Sequence, residues 1–303
     1  VEGANFGLCI KKVDGKSFEL LILGNPTQIK KTYSLFKERK KFFNLNSFTL
    51  PFMPSHHDFS IVFVHKGNQM YFDRVLQMTR LSNPTVPILL LGDATNKGMA
   101  EIHSVQHYLY EDYAEPFDKY IHVSVNNYAY EKFCFERWII FKNFLLQTDT
   151  HSSNSHRFIY CDSDCAILQD ISYLREIDEL YTCDILTFSN NEVIVPCLFV
   201  STKTVFIDIG DSILSFYASQ DKRLFESQVV TSTENGRKHF SDMYLLRQVV
   251  KDKFSIFSLE DIHKFRYQFN ASYYTMTETE KLNAGNVLFN IHYCGESKKH
   301  LLL

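Results

Sequence analysis

Two short stretches in the middle of this chain are apolar on both alternating sets of positions, which leaves neither face free to lie in water. Phe59–His65 is one, ending in Lys66-Gly67-Asn68; residues 87–91 are the other, ending in Gly92-Asp93. A strand buried on both faces belongs inside a parallel sheet covered by helices on each side. Helical patterns follow the first at residues 71–81, stopped by Asn83-Pro84, and return at residues 131–147. Residues 120–125 read as a third, shorter strand. Arg157–Cys161 reads as a further strand that runs straight into Asp162. The expectation is an α/β chain with a mixed, mostly parallel central sheet flanked by helices, a Rossmann-like, doubly wound arrangement. Ligands of such sheets bind beyond the carboxyl ends of the strands, where most of the polar residues singled out below fall.

The beginning of the chain has a different pattern. Residues 6–13 and 17–23 are strand-like and flank Asp14-Gly15, a favoured tight-turn pair, so a hairpin is expected. Pro26-Thr27 opens a basic helical stretch to about Lys41, and Pro51, Pro54 and His56-His57 form a break. Residues 1–57 are therefore expected to be an N-terminal extension of hairpin plus helix. Residues 58–303 are expected to be the functional domain, with a first half over 58–170 and a second over 171–303. That second half carries strand patterns at Ile185–Ser189 and residues 194–200, then a helical stretch to about Phe225 and a polar segment at 231–238. A helix from Ser241 to about Lys251 and a strand at 286–292 complete it. Internal repeats and low-complexity tracts are absent from the sequence.

Composition narrows the class of partner. A formal net charge of -3 leaves no basic footprint for nucleic acid. Hydrophobic content of 45% supports a sizeable core, and core packing explains most of the 15% aromatic residues. The 7 cysteines include no Cys-x-x-Cys pair and several lie in apolar runs, so reduced buried thiols and a cytoplasmic location are expected. Zinc is disfavoured on the same ground. A peripheral membrane or luminal setting stays open, because Asn270-Ala271-Ser272 is a glycosylation sequon and the chain begins at Val1 rather than Met. No run of about 18 apolar residues is present to span a bilayer. The sequence leaves the oligomeric state open.

The chemistry concentrates at Phe158-Ile159-Tyr160-Cys161-Asp162-Ser163-Asp164. An apolar strand delivers two carboxylates one residue apart, and in extended geometry both point the same way, toward one ion. Carboxylate oxygens suit a hard cation, Mn²⁺ or Mg²⁺, that takes its remaining ligands from phosphate. Near the end stands His292-Tyr293-Cys294-Gly295-Glu296-Ser297-Lys298. A neutral imidazole there would join the carboxylates on the metal. Gly295 would allow backbone to approach a diphosphate, and Lys298 would place a point charge on it.

With these two motifs the chain resembles the glycogenin-like (family 8) retaining glycosyltransferases, whose closing motif reads His-x-x-Gly-x-x-Lys. The resemblance implies a GT-A fold and a metal-dependent transfer of sugar from a nucleotide-sugar donor, a UDP-sugar, to a glycan or other hydroxyl acceptor. It implies Asp162, Asp164 and His292 as metal ligands, with Gly295 and Lys298 on the donor diphosphate. Arg137, on the apolar face of its helix among Phe133, Ile140, Phe141 and Phe144, needs a buried partner or must snorkel to the surface. By the resemblance it contacts the DxD carboxylates or the donor. His65 and Asn68 occupy the strand exit where GT-A folds receive the nucleoside base, and Asp93 is a second candidate for that pocket. Asp242, just after the N-cap candidate Ser241, is the candidate catalytic carboxylate on the acceptor side, or a complement to the helix dipole.

The chain departs from the family at Lys299-His300, where the pattern has Pro-Trp. It departs again at Val195-Pro196-Cys197-Leu198, where an Asn-x-Gly signature is usual. The second departure leaves the acceptor and the stereochemical outcome open. Three rivals remain. A haloacid-dehalogenase-like phosphatase would put its DxD on the first strand and leave the closing motif unused. A sugar-phosphate nucleotidyltransferase shares the donor chemistry. A non-catalytic nucleotide-sugar binding module would keep only the ligands.

Overall fold

The computed structural model describes residues 7–12, 18–23, 59–148, 156–219, 233–234, 237–238, 240–261 and 289–293. The expected helical stretch at 26–41, the break at 51–57, the sequon, Gly295 and Lys298 lie outside the described residues. By contacts the chain divides into two compact units, residues 1–56 with 303 and residues 57–302. In the first unit β1 (Gly7–Lys12) and β2 (Phe18–Leu23) pair antiparallel, with Gly7 opposite Leu23 and Lys12 opposite Phe18. The hairpin is as expected.

The second unit continues with β3 (Phe59–His65), α1 (Met70–Ser82), β4 (Ile88–Gly92), α2 (Lys97–Ile102) and β5 (Gln106–Leu109). Next come α3 (Tyr128–Gln147), β6 (Arg157–Cys161), β7 (Cys165–Ile167), β8 (Ile185–Ser189), β9 (Ile194–Thr202) and α4 (Lys203–Ser219). The remaining elements are β10 (Thr233–Glu234), β11 (Arg237–Lys238), α5 (Asp242–Val250), β12 (Ile256–Ser258) and β13 (Asn290–His292). Seven strands form one sheet in the order β12-β8-β9-β6-β3-β4-β5. Every neighbouring pair is parallel except the two made by β9, which runs against the other six.

The alternation of side chains explains the unbroken apolar runs. Ile61 and Phe63, Ile88 and Leu90, Ile159 and Cys161 point into one core with Phe72, Val75 and Leu76 of α1. Val62 and Val64, Leu89 and Leu91, Phe158 and Tyr160 point into the other, beneath Trp138, Phe141 and Phe144 of α3 and Phe206 and Ile209 of α4. Both faces are covered, so both sets of positions must be apolar. The mixed, mostly parallel sheet flanked by helices agrees with the expectation.

Local differences have physical causes. Residues 120–125 form no strand. The edge strand is instead β5, whose Gln106-His107-Tyr108-Leu109 run is partly exposed and carries little apolar signal. The 120–125 stretch is held by side chains: Glu131 accepts hydrogen bonds from Ser124 Oγ (2.9 Å) and Asn126 Nδ2 (2.7 Å), and Phe240 N–H donates to Val123 O (2.7 Å). β7 and β12 are three-residue strands, too short to leave a periodicity. Among the described residues no helix is long and apolar enough to cross a membrane.

Helices α3 and α4 approach at Gly210, where a Cβ would come within 2.6 Å of Lys142 Cβ. Lys142 is buried there with its ammonium on Glu115 (2.9 Å) and Asp211 (3.2 Å). A Gly210→Ala substitution therefore destabilises the protein by about 1–3 kcal/mol through overpacking, despite the better helix former. A lowered urea midpoint with an unchanged slope would show it.

Candidate functional site

The chain leaves the sheet at Cys161, and the next three residues form a turn. Cys165 N–H closes it by donating to Asp162 O at 2.9 Å. The two aspartates thus reach one side through a turn and not through the extended geometry expected from their spacing. β7 then pairs antiparallel with β13, which sets His292 opposite Cys165 and Asn290 opposite Ile167. Tyr293 N–H donates to Asp164 O (2.8 Å) and Leu168 N–H to Phe289 O (2.8 Å), extending the ladder at both ends. Helix α1 supports this strand from below. Its Thr79 Oγ1 accepts from Ile167 N–H (3.2 Å), and Asn83 Oδ1 accepts from Ile171 N–H (2.8 Å).

The ladder brings His292 Nε2 to 3.1 Å from Asp164 Oδ1. One ligand atom each from Asp162, Asp164 and His292 lies within 4.8 Å of the others. Two carboxylate oxygens and an imidazole nitrogen are a donor set that Mn²⁺ or Mg²⁺ accepts, so the residues fit such a cation. Burial pulls the His292 pKa down, but the hydrogen bond and charge of Asp164 and the charge of Asp162 outweigh it and raise it to about 9. A cation that takes the imidazole must displace that proton, since a ligating histidine is neutral.

Arg137 lies at the centre of a buried charge triad. Its Nη1 donates to Asp162 Oδ1 at 2.5 Å and its Nη2 to Asp242 Oδ2 at 2.7 Å, while Nε donates to Cys134 O at 3.1 Å. Its side chain is only 13% exposed, and its guanidinium carbon lies 6.0 Å from the ring centroid of Trp138 and 5.8 Å from that of Tyr160. Burial opposes the charge, yet Asp162, Tyr160 and Asp242 raise the pKa well above the ordinary arginine value. The partner demanded by the apolar helix face is therefore two carboxylates. Asp242, 5% exposed in the first turn of α5, points inward and also accepts from Trp138 Nε1 at 3.4 Å. Ser241 holds the N-cap position but makes no side-chain capping bond. Trp138 is a site neighbour that sequence reasoning passed over; its place beside Arg137 on the helix was the available signal.

The exits of β3 and β4 are tied to each other. His65 lies opposite Gly92, and Gly67, with φ +91°, donates to Asp93 Oδ2 at 2.6 Å. Asn96 Nδ2 donates back to Gly67 O at 2.7 Å. Asp93 also accepts from the backbone and hydroxyl of Thr95. Burial raises its pKa and the hydrogen bonds from Thr95 and Gly67 more than reverse this, so its pKa is lowered. Its carboxylate is thus engaged in joining two loops. His65 is buried with its ring 4.1 Å from that of Phe72, and Asn68 is exposed at the rim.

No family model and no curated protein matches the chain. Among solved structures it is similar to mouse xyloside xylosyltransferase 1, at 9% identity and TM-score 0.49, over 78% of this chain and 97% of that one. It is similar to the glycosyltransferase GlyE of Streptococcus pneumoniae at 14% identity and TM-score 0.43, over 79% of this chain and 55% of the other. It is also similar to the galactosyltransferase LgtC, solved with donor and acceptor sugar analogs, at 12% identity and TM-score 0.43, over 78% of this chain and 87% of that one. The chain thus spans about half the length of GlyE and most of the other two.

Removing Arg137 leaves the buried Asp242 and the partly buried Asp162 without their shared cation. Arg137→Leu is expected to lower unfolding stability by about 3–5 kcal/mol in urea titration. Arg137→Lys retains the charge but not the fork that reaches both acids, and falls between.

Proposed function

We propose that this chain is a metal-dependent glycosyltransferase of the GT-A type, moving a sugar from a nucleotide-sugar donor, a UDP-sugar, to a glycan or other hydroxyl acceptor. The observation that carries the reading is the convergence of Asp162, Asp164 and His292 at the carboxyl edge of a mostly parallel sheet. The convergence needs two motifs far apart in sequence and a specific strand register. The fit to a closing His-x-x-Gly-x-x-Lys motif adds Gly295 and Lys298 as partners of the donor diphosphate.

In this reading Asp162, Asp164 and His292 hold Mn²⁺ or Mg²⁺, and the bound cation supplies Lewis-acid neutralisation of charge on the departing nucleoside diphosphate. The bond between the anomeric carbon and the diphosphate oxygen breaks, its electron pair going to the nucleoside diphosphate. The acceptor hydroxyl oxygen forms the new bond and gives up its proton, so the products are glycoside, nucleoside diphosphate and a proton. Arg137 acts as a positioning residue, because both its terminal nitrogens are engaged with Asp162 and Asp242. The hydrogen bonds to Asp242 fall on Oδ2, leaving Oδ1 to accept from the attacking hydroxyl. Asn68, with His65 behind it, and the loop that Asp93 braces serve the base side of the donor.

The test is Mn²⁺-dependent release of UDP from UDP-sugars, with the released nucleotide identified. UDP as product supports transfer, whereas incorporation of nucleotide into a sugar phosphate supports a nucleotidyltransferase. Asp164→Ala and His292→Ala are each expected to lower turnover by more than about 100-fold and to weaken Mn²⁺ binding in calorimetry. Full activity in excess chelator would overturn the reading.

A further inference from the structure

The rim of the site carries an exposed tyrosine, Tyr130, that none of these roles uses. On α3, Tyr130, Cys134 and Arg137 are spaced four and three residues apart and share one face of the helix. Phe141 continues that stripe into the core, where it is fully buried. The stripe therefore runs from the core, past the guanidinium that holds Asp162, to Tyr130. At about 1.5 Å per residue, Tyr130 stands roughly 10 Å further toward the open edge than Arg137. Its side chain leans toward the helix N-terminus, as all helical side chains do. Tyr130 is 59% exposed. The pKa of its phenol is raised, by Cys134 first and then by burial, with Asp162 and Asp164 adding to the shift and Arg137 opposing it.

The surroundings are built to hold this rim. Nine large hydrophobic side chains are exposed among the described residues, Val125 (42%), Tyr128 (52%) and Tyr130 among them; Tyr128 lies on another side of α3 from Tyr130, its ring 5.5 Å from those of Tyr120 and His122. The backbone that presents them is anchored from below by the buried Glu131 through Ser124 and Asn126. It is anchored from the side by Phe240 N–H on Val123 O, two residues from Asp242. Asn127 caps the helix by accepting from Ala129 N–H (2.9 Å). The exposed ring of Tyr130, on the helix face that carries Arg137, suits the apolar face of a pyranose ring. A flat face with one polar tip binds such a ring at small entropic cost.

We propose that Tyr130 is an acceptor-specificity residue, that the acceptor is an oligosaccharide, and that one of its sugar rings stacks on the Tyr130 face. This rests on the glycosyltransferase reading above. It places the acceptor on the α3–α5 side of the metal, opposite the β3 and β4 exits that would take the nucleoside.

The experiment measures, with Mn²⁺ present, how each UDP-sugar partitions between water and an oligosaccharide acceptor, using UDP-glucose and UDP-galactose as donors and maltose, cellobiose and lactose as acceptors. Tyr130→Ala is expected to lower the ratio of transfer to hydrolysis about tenfold, through acceptor KM more than kcat. Tyr130→Phe retains the ring and is expected to restore the ratio. A ratio unchanged in Tyr130→Ala overturns the proposal. So does an equal fall in transfer and hydrolysis, which would put Tyr130 on the donor. A wild-type protein that hydrolyses a UDP-sugar yet transfers to none of the oligosaccharides overturns the proposal alone. A wild-type protein that turns over no nucleotide sugar overturns the transferase reading and the acceptor site with it.

Discussion

Two carboxylates from distant parts of the chain, the partly buried Asp162 after β6 and the buried Asp242 at the start of α5, lie within reach of one guanidinium. Neither acid could be carried into that environment alone, because an unpaired buried charge costs several kcal/mol. Arg137 compensates both, and its own burial is compensated by them. The fork geometry of arginine matters more here than its charge. Each terminal nitrogen serves a different acid, so the positions of α3, the DxD turn and α5 are coupled through one planar group. The rings of Trp138 and Tyr160 flank that group, their centroids 6.0 and 5.8 Å from the guanidinium carbon. The Asp162–Asp164 turn therefore has its orientation set from the helix side by Arg137.

A second constraint fixes the turn from the opposite side. Three residue pairs between β7 and β13 align His292 with the end of the turn, and Thr79 of α1 holds β7 in place by accepting from Ile167 N–H. Asp162 is oriented by Arg137 and Asp164 by His292. A donor set assembled this way is oriented in advance, and little rearrangement is left for the moment of binding.

How much of this was legible in the sequence follows from what each element depends on. β3, β4 and β6 announce themselves because burial on both faces leaves apolar runs with sharp polar ends. β5 does not, since Gln106, His107 and Tyr108 satisfy an exposed edge with ordinary polar residues. Residues 120–125 mislead because their alternating apolar positions come from packing beneath a loop held by Glu131, with no ladder involved. Arg137 was readable as buried and in need of a partner. That it needs two depends on α5, which no local pattern reveals. The pair Asp162 and Asp164 was found by spacing, although the backbone that presents them is a turn. His292 was found by motif. Its placement follows from a register that only tertiary pairing decides.

The β7–β13 ladder also orders events in time. Asn290 and Cys165, which meet across it, are separated by 125 residues of chain. The loop-closure entropy of so distant a pairing is met only after the intervening strands and helices have collapsed around the sheet. During synthesis, the DxD turn emerges long before the histidine that faces it. The nascent chain therefore presents two carboxylates and an arginine, but not the three-residue cluster, until β13 arrives. A chain that stops short of β13 therefore lacks the histidine side of the three-residue cluster formed with Asp162 and Asp164.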